Sequence, residues 1–186
     1  MSRRLYDKLS RPLALVAVVL GLVSVAPTSY ASPFGQGVFG ADVPFGSVTS
    51  LSIALGGNVS LSLTPSGATF VGSGSHTITV TSTDVVGYNL YIYSAGSTNL
   101  VNGSDTIPAS SNTSAGPLGT NTWGYNTNGS SNYLGITTIP TLLKTATGPY
   151  KSGDNTTVTY GVLTDVTKAE GSYTTTVTYT VVALTD

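Results

Sequence analysis

The chain has 186 residues, a formal net charge of −1, no cysteine, and only 8% charged residues. Beyond residue 31 it holds three lysines, seven acids and no arginine, a net charge of −4. This balance excludes a phosphate-clamping nucleic-acid binder and a polybasic membrane-surface protein. The missing cysteine excludes disulfides, thiolate catalysis and cysteine-based metal sites.

Residues 1–31 read as a signal peptide. Arg3, Arg4, Lys8 and Arg11 form the basic region, residues 13–25 the apolar region, and Ser29-Tyr30-Ala31 the cleavage site, with cleavage expected before Ser32. The apolar run is shorter than the roughly 20 residues of a membrane-spanning helix. The expected product is therefore exported, extracellular or cell-surface, and not inserted in a membrane. Residues 32–46 form a flexible segment with four glycines and three of the chain's four phenylalanines, Phe34, Phe39 and Phe45. Two readings stand: a tail folded back on its own domain, or a strand donated to a neighbouring subunit.

Residues 47–186 are one domain's worth of chain, and their pattern is that of strands. Thr49, Leu51, Ile53 and Leu55 alternate with small residues, and Val59, Leu61 and Leu63 do the same after Gly56-Gly57. That spacing predicts a hairpin. Phe70-Val71 precedes a Gly-Ser turn, and a strand over residues 76–83 follows. In the next strand Tyr88, Leu90 and Ile92 share one face while Tyr91 and Tyr93 take the other. Residues 96–119 lack strand periodicity. They read as a long loop with a short strand at residues 99–101 and a turn at Asn102-Gly103. Residues 121–126 predict a short aromatic strand, and residues 156–162 a clear alternating one. From Tyr173 the chain alternates again: Tyr173, Thr175, Val177, Tyr179 and Val181 point one way, threonines the other. We expect this last strand to pair with or cross residues 156–162, with both of its edges covered, because residues 177–182 are uncharged and β-prone. Tyr173, two residues after Gly171, fits a tyrosine corner, in which the phenol bonds backward to the backbone. No helical period follows residue 25. The fold class expected is an all-β, immunoglobulin-like antiparallel β-sandwich.

Chemistry-bearing motifs are sparse. His76 is the sole histidine. Asp84 or Asp105 are its imaginable orienters in a triad, but no G-x-S-x-G elbow occurs. Seven scattered acids suggest no glycosidase pair, and most of them sit beside turns. The Asp105 and Asp154 turns lack the acidic density of a calcium loop. Lys144, Lys151 and Lys168, with Glu170, are conceivable partners in a lysine–asparagine cross-link, but surface lysine is the simpler expectation. Sequons at Asn58, Asn102, Asn112, Asn128 and Asn155 fit a chain rich in Asn and Thr. Trp123, Tyr125, Tyr91 and Tyr93 are the candidate carbohydrate platform. Against it stands Trp123 as the plug between two sheets. No cofactor, metal site or catalytic residue is expected.

The close of the chain, Asp165-x-x-x-x-Glu170-Gly171-Ser172-Tyr173 followed by TTTVTYTV, resembles the final strands of bacterial surface β-sandwiches. These include WxL-type cell-wall-binding proteins, the spore coat protein U group and fimbrial pilins. GYNLYIYSAGSTNLVNGSDTIPAS followed by NTWGYN is similar to features of small secreted bacterial surface proteins. Trp123-Gly124-Tyr125 departs from W-x-L, and the cysteine pair of many pilins is missing. The resemblance implies a secreted or cell-surface structural or adhesive protein, not an enzyme, with self-association or a cell-wall glycan as its partner. The alternative is a carbohydrate- or cell-wall-binding module using an exposed aromatic face.

Overall fold

The computed structural model describes residues 49–184, which contain ten strands and no helix. The strands are β1 (Ser50–Leu55), β2 (Thr64–Ser66), β3 (Thr69–Thr83), β4 (Gly87–Tyr93), β5 (Leu100–Asn102), β6 (Asp105–Ile107), β7 (Thr122–Asn126), β8 (Thr141–Thr147), β9 (Asp154–Asp165) and β10 (Thr178–Leu184). The first sheet runs β1-β3-β9-β7, with β2 also on β3; the second runs β10-β4-β8; β5 and β6 form a separate hairpin. Every strand pairing is antiparallel. The all-β, sandwich-like character read from the alternation is therefore present.

The pleat explains the core. Even-numbered residues of β3 and β9 point inward, giving Ile78, Val80, Val158, Tyr160 and Val162. Tyr88, Leu90 and Ile92 face them from β4 of the other sheet, and Trp123 and Tyr125 point inward beside them from β7 of the same sheet. Burying an aliphatic side chain of this size contributes about 1.5–3 kcal/mol.

Several local expectations need correction. Residues 56–63 do not form the second arm of a hairpin. Leu55 pairs with Ile78 and Thr64 with Val71, so β1 and β2 lie end to end along the same side of β3. The eight residues between them detour past six on β3. A Cβ on Gly72 or Gly74 would strike the Ser62 or Ser60 carbonyl at 2.9 and 3.0 Å, so the detour presses on the glycine stretch of β3. That stretch is not a turn either, because β3 runs unbroken through it for 15 residues. A glycine-serine run is legible as a turn only when nothing packs against it; here Val59 and Leu61 do. The last strand pairs with β4, not with β9, because β3 and β7 already occupy both edges of β9. It also begins later, at Thr178. Residues 96–119 contain the β5–β6 hairpin, turning at Gly103 with φ 60°.

Candidate functional site

Three places gather side chains or backbone with something left to offer. The first is the outer face of the second sheet. Alternation puts Tyr91 and Tyr93 there, half-buried, opposite the inward Tyr88, Leu90 and Ile92. Thr178 stands beside Tyr93, and Thr180 and Leu142 beside Tyr91. Leu142 and Val182 are 53% and 48% exposed. Trp123 and Tyr125 are not on this face. They are buried between the sheets at 2% and 1% exposure, and the Trp123 indole donates to the Thr98 carbonyl at 2.9 Å. The four aromatics therefore do not make one carbohydrate platform, because β7 turns both its rings inward.

The second place is the edge of β10. Exposed strand edges are templates for further pairing unless something blunts them. The edges of β7, β2 and β8 are blunted. On β7, Trp123 exchanges backbone bonds with Pro108 and Ser110, and Tyr125 with Leu134. On the other side of β3, β2 carries Pro65 and residues 56–63 detour, while β1, reading SLSIAL, is uncharged like β10 but one residue shorter. The β8 edge follows Pro140, carries Lys144, and has a bulge opposite the Leu90–Tyr91 step. β10, reading TYTVVAL, has none of these devices, and among the described residues its only strand partner is β4. The expectation that both its edges are covered is not met within residues 49–184.

The third place is a chain of polar-tipped aromatics between the sheets. His76 Nδ1 lies 3.1 Å from the Gly57 carbonyl, and Nε2 lies 2.9 Å from the Tyr179 hydroxyl. A carbonyl only accepts, so Nδ1 carries the proton of the neutral ring and Nε2 accepts from Tyr179. Tyr179 also shares a hydrogen bond with the Tyr160 hydroxyl, in which either oxygen can donate. The relay joins β3 and β9 of one sheet to β10 of the other. Burial pushes the Tyr160 phenol up to about 12, the bond to Tyr179 pulling the other way. Burial raises Tyr179 further, aided by the neighbouring Tyr160. Neither Asp84 nor Asp105 hydrogen-bonds His76: the Asp84 carboxylate accepts from Thr49, and Asp105 lies exposed in the β5–β6 hairpin. The residues a triad would need are thus not brought together. Tyr160 and Tyr179 were missed as a pair at the sequence level. Their signal was a hydroxyl-bearing ring at an inward position on each of two strands.

A second polar bridge also ties the sheets. The Tyr88 hydroxyl donates to Asp154 at 2.6 Å, and Lys144 Nζ lies 2.7 Å from the other carboxylate oxygen. Burial raises the Asp154 pKa, but the bonds from Lys144 and Tyr88 outweigh it and hold the carboxyl below its ordinary value. Lys168 donates to the Thr106 carbonyl at 2.8 Å, tying the β9–β10 connection to β6. In that connection the Tyr173 hydroxyl donates to the Ala169 carbonyl at 2.9 Å. Phe34, Phe39 and Phe45, the candidate assembly residues, lie outside the described residues.

A scan of protein-family models, a search of curated proteins and a search of solved structures found no match to this chain.

Proposed function

We propose that this chain is an exported, immunoglobulin-like surface protein with a structural or adhesive role, assembling by β-strand addition at β10. The resemblance of its closing residues to bacterial surface sandwiches and its signal-like residues 1–31 support export and a cell-surface location. The observation that carries assembly is the contrast between β10 and the blunted edges of β7, β2 and β8. A long, uncharged edge without proline, lysine or bulge is the form that strand addition uses, and it is the form that proteins otherwise avoid. Residues 32–46, with Phe34, Phe39 and Phe45, supply a segment long enough to lie along seven residues of β10. An incoming strand would gain main-chain bonds from the edge and apolar contact beside Val182.

The test is the size of the purified protein by light scattering across a concentration series. Oligomers or filaments are expected from the full chain. They should be lost on deleting residues 32–46, and separately on Thr180→Lys with Val182→Lys. A full chain that stays monomeric throughout, with or without cell-wall material, sinks the proposal.

A further inference from the structure

On the outer face of the first sheet, Ser73, Gly161 and Gly124 stand side by side on β3, β9 and β7. Outward positions of a sheet normally carry side chains, so a Ser-Gly-Gly row leaves a trough whose floor is backbone. The Tyr133 ring lies in it, over Gly161, where a Cβ would collide with the ring. The trough opens into a groove of about 570 Å³, within the range of small-molecule sites.

The lining has a definite chemistry. Ser62, Ser73, Ser131 and Tyr133 bring hydroxyls to it. None of these four hydroxyls hydrogen-bonds a described residue, and with Ser62, Ser73 and Ser131 exposed they are open to a partner in solution. Apolar surface comes from Val71 and Leu118, and no charged residue among those described lines the groove. A phosphate, carboxylate or ammonium group would find no counter-charge here. A neutral molecule with many hydroxyls and one apolar ring face would find donors, acceptors and an aromatic wall.

We propose that this groove is a binding site for neutral carbohydrate, with a sugar ring packed on Tyr133 and its hydroxyls met by Ser62, Ser73 and Ser131. The groove lies on the sheet opposite to β10, so this site and the assembly edge stand or fall separately. Tyr133 replaces the Trp123 and Tyr125 rings as the aromatic contact.

The experiment is amide-resolved NMR titration of the full chain carrying Thr180→Lys and Val182→Lys, which block the β10 edge and leave the groove untouched, with cellohexaose, N-acetylchitohexaose and, as a charged control, a hexagalacturonate, each to about 10 mM. The expected result is that at least one neutral oligomer shifts amides of Ser73, Ser131 and Leu163, and the charged control does not. Tyr133→Leu, which keeps an apolar group over Gly161, should weaken that binding about tenfold. Ser73→Phe, exposed on β3, should abolish it while the remaining spectrum stays folded. Three results each overturn the proposal: no groove shifts with either neutral oligomer, shifts confined to the Tyr91 and Tyr93 face, or Tyr133→Leu binding as well as the parent chain. Equal binding of the charged control overturns the neutral assignment. Because the readout is local, failure of assembly leaves it unaffected.

Discussion

His76 and Tyr179, 103 residues apart in the chain, share a 2.9 Å hydrogen bond that spans the two sheets. With Tyr160 beyond it, this bond fixes β10 to β3 and β9 through side chains alone. Tyr179→Phe strips the His76 Nε2 and the Tyr160 hydroxyl of their common partner. We expect a loss of about 1–3 kcal/mol in urea denaturation near neutral pH. A change below 0.5 kcal/mol, roughly the scatter of neutral surface substitutions, would show that the relay is not stabilising.

The same relay should contribute to the alkaline sensitivity of the fold. Both phenols have folded-state pKa values above their ordinary value of 10.0. Their contribution is complete below that ordinary value, because there both states hold the proton. It falls as pH rises from 10.0 toward about 12 for Tyr160, since the unfolded chain ionises first. Melting temperature should therefore drop through this window, and the drop should shrink in Tyr160→Phe/Tyr179→Phe. An equal drop in both proteins would count against the relay.

Asp154 sets the acid side. Its folded pKa is lowered from 3.8, so its contribution is present above that value and is lost as pH falls through the folded one. Asp154→Asn should destabilise by about 1–2 kcal/mol near neutral pH, the exposure of Lys144 reducing the effect. The difference from the parent chain should narrow as pH falls below 3.8 and through the folded pKa. A gap that persists unchanged in acid would assign the loss to packing instead.

Trp123→Ala should cost about 3–5 kcal/mol in equilibrium unfolding, the range for emptying a large buried site. A core role and a surface role separate cleanly here. A fully stable Trp123→Ala protein would mean the indole is not the plug between sheets.

Gly161→Ala places a methyl group where the Tyr133 ring lies. Overpacking of this kind costs about 1–3 kcal/mol. In a double-mutant cycle, Tyr133→Ala should recover most of the loss, because the two changes meet at one point. Simple additivity would show that the ring and the glycine are not in contact.

The inward and outward alternation of β3, β4, β9 and β10 was legible because each strand has one apolar face. Trp123 as the inter-sheet plug was legible as the simpler of two readings. Pairing was less so. Residues 156–162 and the last strand share the same Val, Thr and Tyr pattern, and pattern alone does not say which strand lies between them. The glycines of β3 were misleading for a related reason. Glycine marks both a turn and a place where backbone is crowded by another segment, and only the segment at residues 56–63 distinguishes the two. The Tyr133 groove was invisible in sequence because it depends on three small residues falling in one register line across strands far apart in the chain.

The unguarded β10 edge also bears on how copies of this protein can count themselves. If β10 pairs with β10 of another copy, the contact is two-fold symmetric and both edges are consumed, so growth ends at a dimer. If β10 instead receives residues 32–46 of the next copy, donor and acceptor are different surfaces, and each addition regenerates a free edge. Such a contact propagates without limit unless its rotation closes a ring. One strand's nakedness thus poses a choice between a pair and a fibre, decided by whether the leading segment or the edge itself reaches β10 first.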